Sequence, residues 1–385
     1  MTVQKTEALS LYIHIPFCAK KCRYCDFYSV KYDPDLADAY VEAVAKEWEL
    51  VGKENGIGSA RIETVYVGGG TPSLLTIAQW EKLIDSTGAL KPGNGTTEWT
   101  VECNPDSFTN EKAHFLADRG VTRLTFGVQS MHDTELRILG RIHSARRVTE
   151  VLSDPSLSRF MSIGADLIYA LPHQSFDSVE QSIRALMDFP VVKHLSLYEL
   201  TVNERTPFGR HRALLPLPQE EEVCEMYGII GELCSGFGFE RYEISNYARP
   251  GHRCRHNEVY WDHKPYIGLG CSAHSYLHPR RWANIDNVEE YIAEIHDNTR
   301  PVSFEEDLDS ETLAREIIFL SLRRTEGIDE EQFERVTGTA FTGSSRMDKL
   351  SEFLARGQMI RNNKQWKLTS SGMLIADAIA RELID

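Results

Sequence analysis

Residues 11–30 read LYIHIPFCAKKCRYCDFYSV, and this stretch decides how the rest of the chain is read. Leu11–Ile15 alternates and is rich in β-formers, a strand that runs into Pro16. Beyond it Cys18, Cys22 and Cys25 fall within eight residues, spaced C-x3-C-x2-C. Three thiolates cannot by themselves complete a four-coordinate structural zinc site. They can hold three irons of a cubane cluster and leave the fourth open to a non-protein ligand, since such clusters normally take four cysteines. The competing readings are buried thiols in a tight turn, or a zinc site completed by Cys103, Cys254 or a histidine. Lys20 and Lys21 favour thiolates and an anionic cluster, although a solvated pair of charges explains them equally well.

Outward from this loop, the composition is that of a soluble globular protein. The chain has 385 residues, 42% hydrophobic and 26% charged, with a formal net charge of −15. That charge argues against bulk electrostatic binding to nucleic acid or to an anionic membrane. No apolar run is long enough to span a bilayer. The first residues have neither the apolar core of a signal peptide nor the Arg-rich pattern of a transit peptide, so a cytoplasmic location is expected. There the eight cysteines are expected as thiols or metal ligands rather than disulfides.

Strands are expected at Leu11–Ile15, Thr64–Val67, Glu98–Val101, Arg123–Val128, Ile163–Tyr169 and His194–Leu200. Helical periodicity separates most of them: Pro34 to about Val51, Thr76–Leu90, Glu111–Arg119, Ser144–Leu152 and Val179–Met187. This alternation is the signature of parallel βαβ units. Unusual polar or glycine clusters follow the strands: the cysteines, Gly68–Gly70, Glu102, Gln129. In a (β/α) barrel those ends share the face that carries chemistry. Later, Leu313–Leu322, Glu330–Val336 and Asp348–Leu354 are helical, a hairpin turns at Asn362–Lys364, and Ser371–Leu383 is a last helix. These suggest a winged-helix-like C-terminal domain. The organisation expected is a core over residues 1–240, a connecting region over 241–300 and the C-terminal domain over 301–385. Residues 300–385 hold 12 Lys and Arg against 16 Asp and Glu, which lacks the basic footprint of a nucleic-acid reader.

The cysteine spacing, with Tyr24 just before the last thiol, resembles the radical S-adenosylmethionine (SAM) superfamily. YIHIPFC and CRYCDFYS resemble one branch of it, which contains the oxygen-independent coproporphyrinogen III oxidases and the HemW heme chaperones. The similarity continues through YVGGGTPSL (66–74), VECNPDS (101–107), LTFGVQS (124–130), LGR (139–141), DLIYALP (166–172) and CRHNEVYW (254–261). The resemblance implies an α/β fold, a partial (β/α)6 TIM-like barrel with a mainly helical C-terminal domain. It implies a [4Fe-4S] cluster on Cys18, Cys22 and Cys25, whose open iron chelates SAM. By the same resemblance Tyr12, Tyr24, Gly69, Gly70, Thr71, Glu102, Gln129, Arg141 and Asp166 are expected around SAM. Taken singly, a strand-end carboxylate is more often a cap or a surface ion pair. Gln174 and Tyr198 are weaker candidates.

Two features separate the branches. The oxidases carry a fourth cysteine two residues after the third, where this chain has Phe27, and a longer extension before the cluster, where this chain has 17 residues before Cys18. His256-Asn257-Glu258-Val259-Tyr260-Trp261 resembles the HNxxYW motif of the chaperones, which is associated with heme. On that resemblance His256, Asn257, Tyr260 and Trp261 are expected to bind heme, with Cys254 and His274 as competing ligands. A histidine can be an axial ligand, and Tyr260 and Trp261 offer flat faces to a porphyrin. The expectation is a heme chaperone that passes heme to acceptor proteins such as respiratory enzymes, with an electron donor for the cluster. Peripheral docking to a membrane-bound acceptor is compatible with it. The alternatives are a coproporphyrinogen III oxidase that uses a 5′-deoxyadenosyl radical, and a zinc-stabilised binding protein without redox chemistry.

Overall fold

The computed structural model describes residues 8–57, 60–87 and 97–384. Six parallel strands form its centre: β1 (Ala8–Ile15), β2 (Arg61–Gly69), β3 (Glu98–Cys103), β4 (Arg123–Gln129), β5 (Ser162–Tyr169) and β6 (Val192–Glu199). They lie side by side in chain order, each paired in parallel with the next. Consecutive parallel strands need crossovers, and helices supply most of them. The helix Pro34–Asn55 starts where Asp33 accepts a hydrogen bond from the Leu36 amide and Pro34 occupies the first turn. It stops at Gly56, whose φ of 64° suits a residue without Cβ. One short helix, Asp133–Leu139, lies where no element was expected. It is two turns long, too short for a clear period, and ends at Gly140 (φ 79°).

The sheet continues past both edges. Beyond β6 it adds β7 (Glu240–Arg241) and β8 (Asn246–Ala248), with β8 antiparallel to β6. Beyond β1 it adds β9 (Tyr266–Leu269), β10 (His274–Leu277), β11 (Arg280–Asn284) and β12 (Val302–Asp307). β9 runs parallel to β1 and the next three are antiparallel. The twelve-stranded order is β12-β11-β10-β9-β1-β2-β3-β4-β5-β6-β8-β7, an unclosed sheet among the described residues. Glu47 fastens the first helix to this added edge. Its carboxylate accepts hydrogen bonds from Tyr291 (2.6 Å), Asn284 (2.6 Å) and the Gly270 amide (2.7 Å).

The strands are apolar on the face covered by helices, where Leu11, Ile13, Val67, Val101 and Ile163 are fully buried. Alternate residues point the other way and are polar: Tyr66, Thr100, Glu102, Thr125, Asp166, Ser196 and Tyr198 line one cavity on the concave side. The C-terminal part has the helices Ser310–Ser321, Glu330–Thr337 and Ser344–Ala355 and a small sheet built on the hairpin Met359–Asn362/Gln365–Leu368. The final helix expected over 371–383 is two: Ser370–Met373 and Ala376–Ile384. Gly372 presses the first onto the hairpin, where a Cβ would lie 2.0 Å from the Gln358 carbonyl.

Candidate cofactor site

The cysteine loop leaves β1 and is tied at its base. Phe17–Cys18 pairs in parallel with Val30–Lys31, with Val30 N–H donating to Pro16 O (2.7 Å) and Tyr32 N–H to Cys18 O (3.0 Å). All three cysteines line a cavity of about 660 Å³ on the concave side of the sheet. Thr71 Oγ1 lies 3.6 Å from Cys18 Sγ, and Arg141 Nη1 lies 3.6 Å from Cys22 Sγ. Burial pushes the Cys18 thiol up and the Cys25 thiol to about 11. A metal overrides such a shift because coordination deprotonates the thiol, so loading releases protons. Cys103 and Cys254 are buried elsewhere on the wall, Cys254 with its thiol 3.7 Å from Glu98.

Gly69 and Gly70 close the top of β2 against β1. Gly70 N–H donates to Ile15 O and Thr71 N–H to Phe17 O, both at 2.8 Å. Gly69 has φ 106°, and a Cβ on it would come within 2.4 Å of the His14 ring. A Cβ on Gly70 would sit 2.7 Å from Ile15 O. Only glycine lets these strand ends approach so closely. The turn also aims Gly69 N–H at Glu102 Oε2 (3.0 Å), while Tyr66 O–H donates to Oε1 (2.8 Å).

Glu102 and Asp166 face the same cavity from β3 and β5. Burial pushes the Glu102 carboxyl up to about 7, and the Asp166 carboxylate adds to this. Burial likewise pushes Asp166 up to about 6, although Ser196, Thr125 and Arg141 oppose it. Two buried carboxyls are thus held by dipoles, with Arg141 the charge that favours Asp166. Arg141 Nη2 donates to Gly127 O at 2.8 Å, and its Nε has no hydrogen-bond partner. Thr100 Oγ1 is likewise unpartnered on the cavity wall. Gln129 ends β4 in the left-handed region (φ 68°), uncommon for a residue with a side chain. A cation with several hydroxyls and a carboxylate matches this set: carboxyls for the cation, unpartnered donors for the anion.

Of the residues expected here, the three cysteines, Tyr24, Gly69, Gly70, Thr71, Glu102, Gln129, Arg141 and Asp166 all line the cavity. Tyr12 stands behind the wall, its ring stacked on Tyr66 and its hydroxyl 3.0 Å from His14 Nδ1. Gln174 binds Glu135 instead (3.1 Å). Tyr66, Thr125, Ser196 and Tyr198 complete the wall, and strand alternation from Glu102 and Gly68 is the signal that reveals them. Phe27 stands at the rim, 63% exposed.

The helix Arg255–Trp261 carries the HNxxYW residues and packs against Thr64 and Tyr66 of β2. Asn257 lines the same cavity. His256 does not: it is fully buried, with Nδ1 2.7 Å from Thr64 Oγ1 and Nε2 2.9 Å from Tyr260 O–H. Its ring stacks on Tyr66 at 5.2 Å. Burial lowers its pKa to about 3. Both ring nitrogens are therefore engaged within the protein, and neither is free to ligate iron in this conformation. Tyr260 packs edge-on against Tyr266, and Trp261 is half-buried.

Residues 12–186 match the Radical SAM superfamily family model, and residues 308–375 match the HemN C-terminal domain model. The matched segment spans the first five strands of the parallel centre and the three-cysteine loop that follows β1. The coproporphyrinogen III oxidase HemN of Escherichia coli has the same fold: TM-score 0.86 at 20% identity, covering 99% of this chain and 91% of that one. The proteins named heme chaperone HemW are more similar in sequence. That of Bacillus subtilis is 33% identical, covering 96% of this chain and 97% of its own. That of Escherichia coli is 30% identical, covering 97% and 98%. The chain belongs to the HemW family of radical SAM proteins.

Proposed function

We propose that this protein is a heme chaperone. It binds heme and passes it to an acceptor hemoprotein such as a respiratory enzyme, working in the cytoplasm with an electron donor for its cluster. The observation that carries this reading is the full-length similarity to proteins named heme chaperone HemW, at 33% identity for that of Bacillus subtilis. In this reading Cys18, Cys22 and Cys25 hold a [4Fe-4S] cluster, which supplies one-electron chemistry and an open iron for SAM. The Gly69–Thr71 turn, Glu102 and Asp166 receive the cationic and hydroxyl-bearing parts of SAM, and Arg141 with Gln129 its carboxylate side. Tyr12 acts one layer back by fixing Tyr66, which orients Glu102. Among the described residues no helix is long and apolar enough to cross a membrane.

The test is transfer. Protein loaded with one heme per chain is mixed with an apo-hemoprotein, and the acceptor's absorption spectrum is followed. Appearance of holo-acceptor faster than from free heme supports the reading. A chain that binds no heme, or holds it without release to any acceptor, overturns it.

A further inference from the structure

A second cavity, of about 600 Å³, lies on the other side of the HNxxYW helix, between strands β9–β12 and the helix Ser310–Ser321. Its volume is in the range of small-molecule sites. Tyr260, Tyr266, Tyr276, Trp282 and Phe319 give it aromatic walls. The helix thus serves two cavities, with Asn257 on the cofactor side and Tyr260 on this one.

Two histidines reach it. His263 is engaged: Nε2 lies 2.9 Å from Glu316, and the ring packs edge-on against Tyr276 at 4.4 Å. The His274 side chain, at the start of β10, has no hydrogen bond or ion pair of its own among the described residues. The side chain is exposed at the cavity, and its partial desolvation with the nearby Arg281 lowers its pKa from the ordinary value. A neutral imidazole with free nitrogens is the form that ligates iron. At the rim, Lys264 and Arg315 are 61% and 53% exposed, held only by surface pairs with Asp262 and Glu311. Ion pairs of long exposed side chains contribute little, so exchange for a carboxylate on a ligand is cheap.

We propose that this second cavity is the heme site, with His274 as the axial ligand, the aromatic walls against the porphyrin faces and Lys264 and Arg315 on its propionates. The inference rests on the heme-binding reading and adds its location. His256 then acts as a strut: it holds Tyr260 in the wall through its Nε2 contact and binds no iron itself.

The test titrates hemin into the full-length protein and follows the Soret band and the spin state by EPR. Four proteins are compared: wild type, His274→Ala, His263→Ala and Leu320→Trp, the last adding bulk to the cavity wall without touching the ligand. Thermal melts establish that each is folded. The expected result is loss of the axial-nitrogen signature in His274→Ala, with affinity at least about tenfold lower and the spectrum restored by added imidazole. Leu320→Trp is expected to weaken binding as much, while His263→Ala keeps the wild-type signature. If wild type binds no heme, the chaperone reading itself falls. If wild type binds and His274→Ala and Leu320→Trp match it in affinity and spectrum, heme sits elsewhere and only this location is overturned. If His274→Ala does not fold, Leu320→Trp decides alone.

Discussion

Replacing Glu102 with glutamine separates what this carboxyl contributes to binding from its effect on folding. Its two oxygens accept from Tyr66 O–H (2.8 Å) and Gly69 N–H (3.0 Å). Glutamine can keep both contacts, accepting from Gly69 and donating to the Tyr66 oxygen. Burial, with the Asp166 charge adding to it, moves the carboxyl from its ordinary value near 4.5 to about 7. An acid whose folded pKa is raised stabilises the fold fully below its unfolded pKa and loses that stability as pH rises through the folded value. The interval corresponds to about 3 kcal/mol. Without cofactor at pH 8, Glu102→Gln is therefore expected to be more stable than wild type by up to about that amount, a rise of a few degrees in melting temperature. At pH 5 the difference should shrink to less than about 1 kcal/mol. SAM binding should move the other way. Losing a charge-assisted hydrogen bond of about 1.5–3 kcal/mol weakens SAM roughly 10- to 100-fold. Wild-type affinity should fall as pH drops through about 7, where the carboxyl protonates, and the variant should lose that part of the pH dependence. The assays are thermal melts of the cofactor-free protein at pH 5 and pH 8, and anaerobic calorimetry with SAM across the same range. A variant that is no more stable at pH 8 and binds SAM like wild type would show that the Glu102 carboxylate neither costs stability nor contacts SAM.

The simultaneous Cys18, Cys22 and Cys25→Ala variant is expected to lose about four irons and the matching sulfide per chain together; anaerobic iron and sulfide analysis checks this, and retention of the iron would contradict it. Gly70→Ala places a Cβ 2.7 Å from the Ile15 carbonyl, which is backbone and cannot swing aside. The turn must open, so SAM affinity and cluster yield should both drop at least about tenfold, read by calorimetry and the charge-transfer absorption near the cluster. His256→Ala removes a fully buried ring and its contacts to Thr64 and Tyr260. A cost of about 2–4 kcal/mol in a denaturant melt is expected, and a variant of unchanged stability would show that the ring is not the strut described.

The alternation of strands and helices through residue 200 was legible because β-branched runs and capped amphipathic helices obey local rules. Asp33-Pro34 placed the first helix start at the residue where the structure has it. The edges of the sheet were not legible. Tyr266–Leu269 pairs with β1 across more than two hundred residues, and short edge strands carry little periodicity of their own. Glu47 shows the same limit: a charged residue on an amphipathic helix reads as exposed, yet it is 1% exposed because Tyr291, Asn284 and Gly270 come to it from far along the chain. The cysteine loop and the glycine turn announced the cofactor site by composition. Tyr66 and Ser196 did not, and Tyr198 stood out only weakly, since hydroxyl side chains are common on strands and only the inward register marks them out. For His256 the motif drew the eye to a ligand; its burial and its contacts to Thr64 and Tyr260 come from residues the motif alone does not relate to it.

Heme handling in place of porphyrinogen oxidation is tested by turnover of coproporphyrinogen III by the anaerobically reconstituted protein with SAM and a reductant. The prediction is no protoporphyrinogen IX above the level made without protein, from the same preparation that binds heme. Sustained conversion to protoporphyrinogen IX would contradict it.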